Sequence, residues 1–275
     1  EWKDEEQGRI GEERFRREHE CEFIIYNETL IDSLKLATLK YTDVLYRQGE
    51  VRWYKRPTAD KTYVLALDPA AGTGGDNAAI QVIELPTMTQ VAEWCHNKTP
   101  VEGQIRVMRE ILKEIDQYGA KEIYWTVENN SIGEAALVVI RDTGEENFPG
   151  NFLHDPIKVQ GKRGRKGFHT SSKSKLDGCI TLKRFIEQDK IKLFSDACIR
   201  ELKTFVARGN SFSAQPGETD DLVMSLVICC RMITYIASFE DDIFEVVNQN
   251  IGGDNKYDDD KPIDEYDEPM PIGLL

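Results

Sequence analysis

The feature that most constrains the fold is a pair of apolar, strand-length runs that each end on a carboxylate. Residues 62–67 (Thr-Tyr-Val-Leu-Ala-Leu) lead straight into Asp68, and residues 123–127 lead into Glu128. After the first run comes a glycine-rich turn over residues 69–76, then alternating segments at 79–85 and 90–96 that read as a second and third strand. Ile105, Met108, Ile111, Leu112 and Ile115 recur at helical spacing, and Gly119 suits the helix end. The order is therefore β-β-β-α-β-α. Three meander strands are followed by one that must cross over through a helix to lie parallel to another. The expected class is α/β, a mixed sheet flanked by helices.

The later chain reads as mixed elements. A helix is expected over residues 134–141 with Ser131 as its cap, then a helix over 176–188, a short strand at 191–194 and a short helix at 198–205. Leu222, Val223, Leu226, Val227, Cys230 and Ile233 trace one face of a last helix that starts near Asp220. Residues 1–56 read as a helix-rich connector, 57–239 as the main domain, and 240–275 as an acidic tail too polar to bury much surface. The chain opens without Met and is read as a piece of a longer protein.

Composition excludes several classes. With 31% charged residues and no apolar run near the roughly 20 residues a span needs, a membrane protein is not expected. The charged start, Glu1-Trp2-Lys3-Asp4, is unlike a secretory leader. Six cysteines lack C-x-x-C spacing, and the four histidines do not pair with them at zinc-ligand distances in sequence, so free thiols are expected. A net charge of −14 opposes non-specific DNA binding over the whole surface.

If the strands ending on Asp68 and Glu128 are adjacent and parallel, both carboxylates project from the edge where open α/β sheets place their sites. Asp220-Asp221 opens a helix whose apolar face would pack on the same sheet and bring a third carboxylate near. Carboxylates this close cannot all stay ionised without a cation. Hard oxygen donors suit Mg²⁺ or Mn²⁺, and two such ions about 4 Å apart can activate a water and stabilise the leaving oxygen of a phosphodiester. Each residue also has a plainer use. Asp68 can start a turn, Glu128 can be a surface charge, Asp220 can cap a helix and Asp221 can complement its dipole.

Three strings carry a resemblance to a known family: Leu67-Asp68-Pro69-Ala70-Ala71-Gly72 with Gly75-Asp76-Asn77, Val127-Glu128-Asn129-Asn130, and Thr219-Asp220-Asp221-Leu222-Val223-Met224-Ser225-Leu226-Val227. Over roughly residues 20–236 the chain resembles the nuclease domain of the large terminase of tailed bacteriophages. That resemblance implies an RNase H-like nuclease that cuts concatemeric viral DNA during genome packaging in the cytoplasm of an infected bacterium. It implies that Asp68, Glu128 and one of Asp220 or Asp221 bind the metals, with Asp76 as a further acidic position. It also implies an ATPase domain upstream, with portal and small terminase as partners. No G-x-x-x-x-G-K-[ST] phosphate loop is present, consistent with the motor half lying outside this chain.

The charge objection is met locally. Lys158, Lys162, Arg163, Arg165, Lys166, Lys173 and Lys175 form a basic island interrupted by no Asp or Glu, a natural partner for the phosphates of double-stranded DNA. A solvated loop is the plainer account. His169, beside the island, is a candidate for proton transfer. The acidic tail is a candidate competitor with DNA for the island, or a solubilising or partner-binding segment. Two other readings stay open: an ATP-binding domain of the actin and sugar-kinase type, which would need a duplicated half, and a non-enzymatic docking module.

Overall fold

The computed structural model describes residues 29–156, 166–209 and 211–249. In chain order they form α1 (Ser33–Thr38), β1 (Tyr46–Gln48), β2 (Val51–Trp53), β3 (Thr62–Asp68), β4 (Ala78–Leu85) and β5 (Thr89–His96). Then come α2 (Val101–Gln117), β6 (Glu122–Val127), α3 (Ser131–Thr143) and β7 (Asn151–Phe152). The chain continues through α4 (Ser172–Glu187), α5 (Asp196–Thr204), β8 (Phe205–Arg208), β9 (Ser211–Ala214), α6 (Asp221–Ile236) and α7 (Asp241–Asn248).

Seven strands build one sheet in the order β1-β2-β5-β4-β3-β6-β7, and β8-β9 form a separate hairpin. The meander β3-β4-β5 is antiparallel, while β6 lies parallel to β3 after the α2 crossover, with Leu67 opposite Val127. This is the mixed sheet expected from the sequence. Its register sets Asp68 and Glu128 side by side at one edge, one residue past the paired ends.

Strand β3 lacks in–out alternation because both of its faces are covered. Val64 and Ala66 pack in a core with α4, α5 and α6, whereas Tyr63, Leu65 and Leu67 pack with α2 and α3 on the other side. Helix α6 lies against β3 and β4 and beneath α4, so apolar residues all round it are buried rather than only the single face anticipated. The Ser225 hydroxyl on that helix donates to the Ala66 carbonyl of β3 at 2.9 Å. No single helix among the described residues is long and apolar enough to cross a membrane.

Four expectations need correction. The boundary at residue 57 cuts through the sheet: β1 and β2 precede it, and Trp53 is fully buried opposite Ala92 of β5. The acidic segment does not begin at 240, because α7 packs Ile243 and Val247 into the core. These short elements carry too few apolar residues for periodicity to reveal them. Residues 191–194 make only an isolated bridge, Lys192 with Thr89, in place of a strand. Finally, Asn130 rather than Ser131 caps α3, accepting from the Ile132 and Gly133 amides at 3.0 and 2.8 Å. Residues 1–28 and 250–275, with most of the basic island, lie outside the described residues.

Candidate active site

The carboxyl ends of β3 and β6 and the amino end of α6 meet at one edge of the sheet. Asp68 closes β3 and is half-buried. Glu128, immediately after β6, is 5% exposed, with its amide donating to the Leu67 carbonyl at 2.8 Å. Burial first, then the Glu128, Asp221 and Asp220 carboxylates, push the Asp68 carboxyl well above the usual carboxylate range. Burial likewise raises Asp221, with Asp220 and Asp76 adding to the rise and Asn77 opposing it. Asp68 and Asp221 therefore each sense their acidic neighbours, and exposed Asp76 is among those that act on Asp221.

The two aspartates of α6 are held differently. Asp221 Oδ2 accepts from Asn77 Nδ2 at 2.7 Å and from the Asn77 amide at 3.4 Å, tying it to the turn after β3. Asp220 occupies the N-cap position but makes no capping bond; its Oδ2 accepts from the Ala214 amide of β9 at 3.2 Å. The plain capping use of Asp220 is thus not what its side chain does. Glu128 is held by Asn130, whose Nδ2 donates to Glu128 Oε2. Because the Asn130 oxygen is committed to the α3 amides, its amide group can present only the NH₂ end to Glu128.

Nothing in the sequence marks these holders: Asn130 and Asn77 lie within the family-like strings with no local sign of their role, and Glu201 of α5 carries no local signal at all.

The far end of the basic island is stitched to this edge. Phe168 bridges Glu128, the Asn129 amide donates to the Phe168 carbonyl at 2.8 Å, and Asn129 Nδ2 donates to the Lys166 carbonyl at 2.8 Å. Lys166 pairs with Glu145 at 2.9 Å, Lys173 is exposed, and the Lys175 ammonium lies over the Phe205 ring. Lys158, Lys162, Arg163 and Arg165 lie outside the described residues. The His169 Nδ1 sits 2.9 Å from the Asn129 carbonyl oxygen, so Nδ1 carries the proton and Nε2 is the nitrogen left for other work.

Among the described residues no three His, Cys, Asp or Glu side chains are drawn together closely enough to hold an ion as they stand. The donor chemistry nonetheless fits a hard divalent cation. The available groups are carboxylate oxygens, and their mutual repulsion at Asp68 is the kind a cation relieves.

A mixed sheet whose two adjacent parallel strands end on carboxylates, with an acidic helix start beside them, defines an RNase H-like α/β domain. The chain belongs to the terminase RNase H-like domain family, whose model matches residues 65–229, more than half of its length. Among solved structures it is similar to the large terminase nuclease from thermophilic phage G20c with bound magnesium, at 16% identity and a TM-score of 0.58, covering 76% of this chain and 98% of that one. The same phage nuclease with bound cobalt matches at 16% identity and a TM-score of 0.57, covering 76% and 98%. The large terminase nuclease domain of Thermus phage P74-26 matches at 17% identity and a TM-score of 0.51, covering 71% and 91%. At these identities the structures establish a shared fold.

Proposed function

We propose that this chain is a metal-dependent endodeoxyribonuclease that cuts concatemeric viral DNA during genome packaging. The observation that carries the reading is the convergence of Asp68, Glu128, Asp220 and Asp221 at one sheet edge, where burial and its acidic neighbours push the Asp68 carboxyl well above the usual carboxylate range. Asp68, Glu128 and at least one of Asp220 and Asp221 would hold two Mg²⁺ or Mn²⁺ ions, with Asp76 at the margin. When bound, the ions supply an activated water and a stabilised leaving oxygen. The chain's own part is to orient carboxylates: Asn130 fixes Glu128, and Asn77 fixes Asp221. The basic segment over residues 158–175, anchored beside Glu128, would meet the phosphates of double-stranded DNA.

Family membership supports the wider setting: an ATPase domain upstream, portal and small terminase as partners, and action in the cytoplasm of the infected bacterium. The actin-type alternative needs a duplicated half, whereas the described residues form one seven-stranded sheet and one hairpin. A plasmid-nicking assay with Mn²⁺ tests the reading against both the ATP-binding and the docking alternatives. Wild type is expected to nick, and Asp68→Ala and Glu128→Ala to lose nicking. Intact plasmid with wild type, or variants that both cut as well as wild type, would overturn it.

A further inference from the structure

An aspartate at a helix N-cap ordinarily uses its carboxylate on the amides of the first turn. At α6 that duty has moved elsewhere. The Val223 amide donates to Glu201 Oε2 at 3.1 Å. Glu201 comes from α5, is 8% exposed, and accepts at Oε1 from the Thr219 hydroxyl at 3.0 Å. It is a buried carboxylate that the proposed chemistry does not use. Its two oxygens straddle the aspartates in sequence, bonding the Thr219 hydroxyl before them and the Val223 amide after them.

We propose that Glu201 is a positioning residue that takes over the N-cap of α6, keeping the Asp220 and Asp221 carboxylates off the helix amides and available to divalent cations. The second half of that statement rests on the nuclease reading; the first half does not. The reasoning is local. Amides of the first helical turn lack partners within the helix, and the positive helix end attracts a carboxylate. With Glu201 gone, the ordinary capping acceptor is Asp220, which sits at the N-cap position already. Its carboxylate would turn onto the Leu222 and Val223 amides and away from the Asp68–Glu128 edge. Glu201 touches neither substrate nor reacting atoms in this scheme and acts only through the helix start.

The test combines calorimetric Mn²⁺ binding with thermal melting of the full chain. Glu201→Ala is expected to weaken Mn²⁺ binding about 10- to 100-fold at temperatures where the variant is fully folded. Glu201→Gln keeps an acceptor oxygen for the Val223 amide and is expected to restore most of the affinity. Melting reads the cap without metal. Asp220→Ala alone should cost only its Ala214 contact, whereas in the Glu201→Ala background it should lower Tm by 2–4 °C or so more than that, the shift one lost cap produces in a domain of this size. If the alanine variant does not fold, Glu201→Asp, which keeps the charge but shortens the reach, carries the same comparison. Wild-type Mn²⁺ affinity in the Glu201→Ala or Glu201→Asp protein overturns the proposal, as does an equal Tm cost of Asp220→Ala in both backgrounds. A wild type that takes up no Mn²⁺ and cuts no DNA overturns the nuclease reading instead, and the melting comparison still decides the cap.

Discussion

Replacing Glu201 with glutamine is expected to flatten the pH dependence of stability in the metal-free protein. Burial raises the Glu201 carboxyl from an ordinary 4.5 to about 7, against hydrogen bonds from Val223 and Thr219 that lower it. Between those two values the folded state keeps a proton that the unfolded chain has released. Stability therefore falls as pH rises through this window, and levels off above it. The gap from 4.5 to about 7, at about 1.36 kcal/mol per pH unit, amounts to about 3 kcal/mol. Against a total stability of about 5–15 kcal/mol, such a loss is readily measured. Asp68 and Asp221 are also raised, so the variant keeps a residual slope of the same sign. The difference between the two proteins isolates Glu201. Urea unfolding with chelator present, at a series of pH values from 4.5 to about 8, supplies the two curves. Parallel curves for wild type and Glu201→Gln would refute the argument, because the slope would then come from other groups.

Three further outcomes follow from the same geometry. Asn130→Ser keeps a capping side chain on α3 but removes the donor to Glu128; nicking should fall about 10- to 100-fold with Tm nearly unchanged, and an equal loss of both would reduce Asn130 to a cap. Gly133→Ala would drive a Cβ into the Glu128 carbonyl oxygen; a destabilisation of about 1–3 kcal/mol in urea unfolding is expected, and wild-type stability would contradict the close approach. Asp68→Asn removes a buried carboxyl raised by its surroundings, so the metal-free protein should melt higher at pH 8 or so while Mn²⁺ no longer raises Tm; a lower metal-free Tm would count against the repulsion.

Much of the site was legible in the sequence because it is built at strand ends. An apolar run that stops on a carboxylate marks where β3 ends at Asp68 and where β6 hands over to Glu128, and the α2 periodicity between them dictates the parallel crossover. The strings around Asp220 and Asp221 marked a helix start. Local signals failed where an element's identity depends on its neighbours. Strands β1 and β2 have three residues each and are strands because β5 supplies a partner. Helix α7 is acidic outside, and two buried residues, Ile243 and Val247, dock it.

The amino-acid sequence by itself determined the β-β-β-α-β-α order and the acidic residues that end its strands, since hydrophobic periodicity and the length of a crossover are properties of the chain alone. Only the tertiary structure decided what each acidic residue does there. Whether Asp220 caps its helix or turns to the Ala214 amide depends on whether another carboxylate reaches the helix amides. That carboxylate, Glu201, arrives from a different helix across the core. Hydrogen-bond partners are chosen by distance in space, and no spacing along the chain encodes that choice.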